Sequence, residues 1–354
     1  MKLRDYLTHE VNYMLCFDNI KIKENHYQQL ISLLKRTTKL NFEYYRRNFI
    51  ERRIKARMIR VNCTNLNSYY NYINMHENEE IKKFTESFNI NYSYFFRNWE
   101  VFDCFQNLFL RCLNRNKQLL LNNLRQDPTK IKIRSKKRSP KTDIVKSKLK
   151  ARSNDSQNLS LSSYLEKTSL YKKLNKHRSL QEPINIWSCP CASGEEPYSI
   201  AMILNNLKSQ IPNFPNYKIV ATDIDEKAIS LAKIGIYNEE STKEISKYYE
   251  NKFFKKFEDY FGYKYSINND IKNNVEFINE DATLKHKKKL KYDIVFCRYL
   301  LIYFNRENRD KFLRTLENQL TQGGLLFLGK TETIFNSQTN FKLVDTKNHI
   351  YIKT

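Results

Sequence analysis

The sequence predicts an α/β protein: a mainly parallel sheet covered by helices on both faces, preceded by an all-helical N-terminal region. Three observations carry this. From Ile184 onward, short apolar runs alternate with segments of helical periodicity, the pattern of strand–helix–strand units. Ahead of them, roughly the first 85 residues show apolar positions at helical spacing. Between one strand run and one helical run stands Gly194, the only glycine among the first 234 residues. A glycine at such a turn lets the backbone approach a ligand, with helix N–H groups aimed at it.

In the helical part, Tyr27, Leu30, Ile31 and Leu34 share a face. A second helix around Phe49 to Arg60 puts Ile50, Ile54, Met58 and Val61 on one side and gathers Arg46, Arg53, Arg57 and Arg60 on another. From composition this stripe reads as a wetted helix surface, with docking of an acidic protein as the sharper alternative. An aromatic segment follows, Asn91-Tyr92-Ser93-Tyr94-Phe95-Phe96-Arg97.

The net charge of +24 is unevenly placed: residues 111–180 carry 20 Lys and Arg against 4 Asp and Glu. No aromatic residue lies between Phe109 and Tyr164, so the stretch lacks the stacking platforms of single-strand binders. It reads as a solvated, disordered insertion, and nucleic acid is disfavoured as a partner.

Beyond it the expected strands are Ile184–Ser188, Lys218–Thr222, Val275–Ile278, Tyr292–Cys297 and Leu325–Leu328, and the expected helices Glu196–Asn206, Lys227–Lys233 and Glu307–Gln319. Phe341–Val344 and His349–Ile352 suit a closing hairpin. Tyr260–Ile267 interrupts the alternation as a small strand-bearing excursion, and Gly323-Gly324 reads as a turn into a buried strand. No apolar run is long enough to cross a membrane, and Met1-Lys2-Leu3-Arg4-Asp5-Tyr6 has no signal-peptide core. Seven cysteines, an odd number, do not form a disulfide framework. Cys189 and Cys191 lack the further ligands of a zinc site. A cytoplasmic monomer with free thiols and no metal is the expectation.

The chemistry concentrates at strand ends. Asp223 closes the second strand, where a carboxylate grips a ribose diol, and Asp225 is placed to cap the next helix. Asp281 and the Ala282 backbone follow the third strand, in reach of an adenine edge. Cys297-Arg298-Tyr299 and Tyr303 follow the fourth, at the carboxyl edge where open α/β sheets bind ligands. A single glycine in the first turn is short of the dinucleotide fingerprint, and no phosphate loop is present. A donor without phosphates, S-adenosylmethionine, suits this turn better than NAD.

These residues, taken in order, resemble a known family. Asn91-x-Ser93-x-Phe95-Phe96-Arg97, Trp187-Ser188 with Ser193-Gly194-Glu195-Glu196-Pro197-Tyr198-Ser199, Ala221-Thr222-Asp223-Ile224-Asp225, Ala232-Lys233-x-Gly235-Ile236-Tyr237, and Phe296-Cys297-Arg298 with Ile302-Tyr303-Phe304 look like the CheR-type chemotaxis receptor protein-glutamate O-methyltransferases. The resemblance implies a Rossmann-like S-adenosylmethionine-dependent methyltransferase sheet with a small β subdomain, preceded by an all-helical domain. The expected boundaries are 1–86 for the helical domain and 87–354 for the methyltransferase domain, with the subdomain at about 241–274. It further implies cofactor contacts at Asn91, Ser93, Arg97, Gly194, Glu196, Asp223, Asp281, Ala282, Cys297 and Arg298, and catalytic roles for Arg97 and Tyr303. Arg53 and Arg57 become candidates for docking the cytoplasmic domain of a chemoreceptor, whose glutamates would be methylated. Three departures stand out. Tyr299 replaces the usual Asn and bears on adenine-side contacts. Gly329-Lys330-Thr331-Glu332 replaces a Gly-His-Ser-Glu run. The lysine-rich insertion is the third.

Two other readings compete. A nucleic-acid methyltransferase would account for the charge, but the Asn/Asp-Pro-Pro-aromatic run of amine methylation is absent. A receptor-binding adaptor without catalysis would account for Tyr299 and Lys330.

Overall fold

The computed structural model describes residues 22–38, 40–88, 92–113, 164–174, 182–284, 290–335 and 338–354. Asn91 and most of the basic insertion lie outside them.

The chain begins with four helices, α1 (Glu24–Thr37), α2 (Arg47–Arg60), α3 (Leu66–Met75) and α4 (Glu77–Phe88). They close around Leu30, Leu34, Ile54, Met58, Tyr69 and Phe84, all fully buried or within 1 % of it. Asn65 starts α3 with a capping box completed by Ser68. A fifth helix, α5 (Trp99–Cys112), lays Phe102, Phe105 and Phe109 on the main sheet.

Part of the expected insertion 111–180 is ordered secondary structure. Arg111 and Cys112 end α5, and Tyr164 to Leu174 form a short 3-10 turn and a helix, α6 (Ser169–Leu174), packed into the core. Lys173 anchors that helix by an ion pair of 2.8 Å to the fully buried Asp293. The apolar positions Tyr164, Leu170 and Leu174 outweigh the local charge once a buried carboxylate is available.

The sheet then assembles from β1 (Ile184–Ser188), β2 (Tyr217–Asp223), β6 (Val275–Asn279), β7 (Tyr292–Cys297), β8 (Leu320–Leu328), β9 (Phe341–Asp345) and β10 (Ile350–Lys353). Their order is β6-β2-β1-β7-β8-β10-β9. The first five strands pair in parallel; β10 runs antiparallel to both β8 and β9. β1 has β2 on one side and β7 on the other, so the crossovers diverge there. The crevice above such a switch point is where open α/β sheets bind ligands.

Helices α7 (Glu195–Gln210) and α8 (Glu226–Ile234) follow β1 and β2. Asp225 caps α8, accepting from the backbone of Lys227 at 2.9 Å and Ala228 at 3.3 Å. A second sheet, β3 (Ile236–Asn238), β5 (Gly262–Ile267) and β4 (Phe254–Asp259) in that order, stands beside the first. A short helix, α9 (Lys247–Phe253), leads into β4, and α10 (Arg306–Gln319) covers the other face of the main sheet through Phe312, Leu313 and Leu316.

Gly323 and Gly324 are not a turn. They lie inside β8, where pairing with β7 jumps from Tyr292–Leu320 to Ile294–Leu325. Gly323 has φ +75°, and a Cβ there would overlap the Lys167 carbonyl. The bulge makes room for the 3-10 turn.

Candidate functional site

The site forms where β1, β2 and β7 end. Ser188 closes β1 and donates to Glu196 Oε1 at 2.8 Å. Arg298, one residue past β7, donates to Glu196 Oε2 at 3.0 Å. Arg298 is 4 % exposed and Glu196 9 %, so the pair is a buried one, held by three further contacts. Arg298 Nη2 reaches the Arg97 carbonyl at 2.8 Å and Asn98 Oδ1 at 2.6 Å, tying the aromatic segment ahead of α5 to the sheet edge. A cavity of about 150 Å³ opens here, lined among others by Tyr92, Ser93, Arg97, Glu196, Arg298 and Tyr303.

The turn after β1 works differently from its sequence-level reading. Gly194 has φ +95° and begins α7, so its backbone freedom is used. Its missing side chain faces the interior: a Cβ would stand 2.9 Å from the Ala232 Cβ, 3.1 Å from the Tyr237 hydroxyl and 3.2 Å from Phe277. Close packing of α8, β3 and β6 therefore requires the glycine, and Pro190, Cys191 and Ala192 are the loop residues that face the cavity.

Asp223 points at that loop. Its Oδ2 accepts from the Ala192 N–H at 2.8 Å and its Oδ1 from the Asp225 N–H at 2.9 Å. Burial pushes its carboxyl up to about 6, against the lowering effect of those N–H groups. Each oxygen keeps a lone pair for a further donor. Asp281 spends Oδ1 on the Thr283 backbone and hydroxyl, while its buried Oδ2 has no partner among the described residues; burial raises this carboxyl too. Ala282, half-buried beside it, packs against the core on the face of the sheet that α10 covers.

Two sequence-level assignments need correcting. Cys297 exposes nothing and sits in the core with Cys189, Trp187 and Leu301; it contributes no surface to the cavity. Arg57 is 6 % exposed and is not a docking residue. Its Nε and Nη2 pair with the two oxygens of Glu80 at 2.8 and 2.6 Å, and the Tyr69 hydroxyl adds a third hydrogen bond at 2.7 Å. The face of α2 that carries Arg57 is covered by α4, which helical spacing alone does not reveal.

Arg53 takes a different course. It is half-buried, its guanidinium 5.0 Å from the Phe49 ring centroid. Phe49 in turn packs on Tyr303 at 4.9 Å. Arg53 and Arg97 both act electrostatically on the Tyr303 hydroxyl, opposing the rise that burial causes. Arg97 donates to the Tyr92 carbonyl at 2.8 Å and stacks on Tyr299, 3.9 Å from its centroid. Tyr299 thus stands beside Arg97 in the wall of the cavity.

Sequence reasoning missed two supports. Glu332, 2 % exposed, accepts from the backbones of Tyr299, Leu301 and Gly329, each at 2.7 Å. It fixes the loop between Arg298 and Tyr303; its only sequence-level trace is the acidic residue closing the Gly329–Glu332 run. The second support is a backbone strap: Arg46 N donates to the Tyr303 carbonyl at 2.8 Å, Arg46 Nε to the Phe304 carbonyl at 2.9 Å, and Asn305 N to the Tyr44 carbonyl at 2.9 Å. The helical region therefore grips the loop that carries Tyr303. No sequence signal announces a bond between residues more than 250 positions apart.

Among the described residues no His/Cys/Asp/Glu group could hold a metal, and no helix is long and apolar enough to cross a membrane.

Comparison with known proteins matches residues 157–350 to the CheR methyltransferase, SAM binding domain, and residues 25–88 to the CheR methyltransferase, all-alpha domain. A chemotaxis protein methyltransferase of Vibrio anguillarum is 33 % identical over 165 residues, covering 46 % of this chain and 59 % of that one. One from Listeria monocytogenes is 31 % identical over 190 residues, covering 54 % and 68 %. Chemotaxis protein methyltransferase 2 of Vibrio cholerae is 36 % identical over 155 residues, covering 43 % and 52 %. The chain thus spans 52–68 % of the length of these relatives.

Proposed function

The chain belongs to the CheR methyltransferase family, and from that premise we propose that it transfers a methyl group from S-adenosylmethionine to glutamate side chains in the cytoplasmic domain of chemoreceptors. The observation that supports this most is the buried Glu196–Arg298 pair. It opens onto a cavity shared with Arg97 and Tyr303, and among the described residues the Arg298 Nε has no partner.

The residues fit such a donor. Among the described residues two buried polar atoms at these strand ends lack partners: the Arg298 Nε–H, a donor suited to an amino-acid carboxylate, and Asp281 Oδ2, an acceptor suited to an exocyclic amine. Between them Asp223 keeps lone pairs for ribose hydroxyls. The cavity of about 150 Å³ is smaller than the roughly 300–1,000 Å³ of a full ligand site. It suits the reacting end of the donor, with Asp223 and Asp281 farther along the sheet edge. When bound, the donor supplies a methyl group already activated by its positive sulfur.

The acceptor needs no base. A glutamate side chain has an ordinary pKa of about 4.3 and is ionised at neutral pH. What remains is orientation and exclusion of water, which can lower a barrier by up to roughly 7–11 kcal/mol in the best cases. Arg97 offers a planar cation to the acceptor carboxylate, and Tyr303 offers a hydroxyl in the same cavity. Arg53, in the middle of α2 and close to Tyr303, adds attraction for an acidic helix at close range. Its desolvation is met by the Phe49 face rather than by a carboxylate.

Purified chain is to be incubated with methyl-labelled S-adenosylmethionine and either receptor cytoplasmic fragments or RNA. The expected result is base-labile label on the receptor fragments alone. Label on RNA, or donor binding without any transfer to receptor glutamates, would overturn the assignment.

A further inference from the structure

We propose that Tyr299 is a positioning residue: it holds the Arg97 guanidinium flat against its ring, fixing the direction from which Arg97 meets the acceptor carboxylate. This rests on the reading of the cavity as a site of methyl transfer. An exposed arginine samples many rotamers, and a catalytic one that must present a planar fork in a single direction needs a restraint. Among the described residues no carboxylate pairs with Arg97. Its restraints are one hydrogen bond to the Tyr92 carbonyl and two aromatic faces, Tyr92 at 5.5 Å and Tyr299 at 3.9 Å. The nearer ring is well inside the range of a cation–π contact.

The Tyr299 ring is itself unusually well held. Its backbone adopts φ +63°, a conformation rare for an aromatic residue. Its N–H donates to Glu332 Oε2 at 2.7 Å. Its hydroxyl donates to Asn98 Oδ1, the atom that also accepts from Arg298 at 2.6 Å. Gly329 leaves the space for the ring: a Cβ there would stand 3.0 Å from Tyr299 Cδ1. Strain, a buried carboxylate, a glycine and a shared acceptor converge on one ring orientation, and the group resting on that ring is Arg97. The same network joins the ring to Arg298, so the two cations of the cavity are set relative to each other.

The test is a double-mutant cycle of Tyr299→Ala and Arg97→Ala, with Tyr299→Phe as the conservative variant. Methyl transfer is followed by kcat and KM, and the Arg97 side-chain N–H resonance by NMR. Tyr299→Ala is expected to lower kcat about tenfold with the donor KM within about twofold. Tyr299→Phe, which keeps the stack and loses the hydroxyl, is expected to lower it only about two- to threefold. In the Arg97→Ala background Tyr299→Ala is expected to cost nothing more. Equal losses with and without Arg97, or a Phe variant no better than Ala, would overturn the proposal. The NMR arm needs no acceptor: the Arg97 resonance is expected upfield from ring shielding, moving back in Tyr299→Ala. An unshifted resonance in the parent chain also overturns the stack. Absence of transfer by the parent chain, with the resonance shifted, would instead remove the assignment of the reaction and leave the stack standing.

Discussion

Removing the Arg57 side chain separates a core role from a docking role. In Arg57→Ala the Glu80 carboxylate, whose side chain is 2 % exposed, loses both guanidinium hydrogen bonds and keeps only the Tyr69 hydroxyl. Breaking a buried pair by deleting one partner typically costs about 3–5 kcal/mol, because the remaining charge stays out of water. Loss of the packed arginine stem adds to this. Against a whole-protein stability of about 5–15 kcal/mol this is a large fraction. Urea unfolding of the full chain, followed by far-UV circular dichroism, should show a midpoint well below that of the parent. Arg60→Ala on the same helix, exposed at its end, should stay within about 0.5 kcal/mol. Arg57→Met combined with Glu80→Gln removes both charges and keeps an acceptor for Tyr69, so it should recover most of the loss. If Arg57→Ala moved stability by less than about 1 kcal/mol while weakening attachment to an acidic partner, the ion-pair reasoning would be refuted.

Two further outcomes follow from the geometry. The Asp223 carboxyl is raised to about 6 in the folded chain, against 3.8 as its ordinary value. The native state therefore holds this proton more tightly than the unfolded chain: the carboxylate costs stability in full above about pH 6, and the cost fades as the pH falls toward 3.8. If the ionised form grips the donor's ribose, calorimetric affinity for S-adenosylhomocysteine should drop about tenfold between pH 7.5 and pH 5. Asp223→Asn should give weak binding with that pH step removed; an unchanged step would assign it to another group. Gly323→Ala puts a methyl group against the Lys167 carbonyl at a φ of +75°. Strain and overpacking together should cost about 2–4 kcal/mol in unfolding. A variant as stable as the parent would show that the 3-10 turn does not press on the β8 bulge.

Much of the sheet was legible because its strands are short apolar runs bounded by polar residues: Ile184–Ser188 and Tyr292–Cys297 appear with the expected ends. The helix after Gly194 and the Asp225 cap were equally local signals. Legibility failed where a residue's role is decided by a distant partner. The arginines of the stripe at and along α2 look alike in sequence, yet Arg57 is claimed by Glu80, Arg46 by the Phe304 carbonyl, and Arg53 by the Phe49 face. Gly194 was rightly singled out for its backbone, but the reason for its bareness lies in Ala232, Tyr237 and Phe277. Local charge around residues 164–174 concealed a helix that a single buried aspartate, Asp293, makes part of the core. At the site itself, the strand-end residues were visible from position alone, whereas the Glu332 keystone and the Tyr299–Arg97 stack depend on loop conformations with positive φ that no spacing rule encodes.

The most direct measurement of the central claim is calorimetric titration of the full chain with S-adenosylhomocysteine, alongside Arg298→Met. The cavity beside the ends of β1 and β7 predicts one saturable site per chain, weakened at least about tenfold when the Arg298 guanidinium is removed. No binding, or binding that Arg298→Met leaves intact, would contradict it.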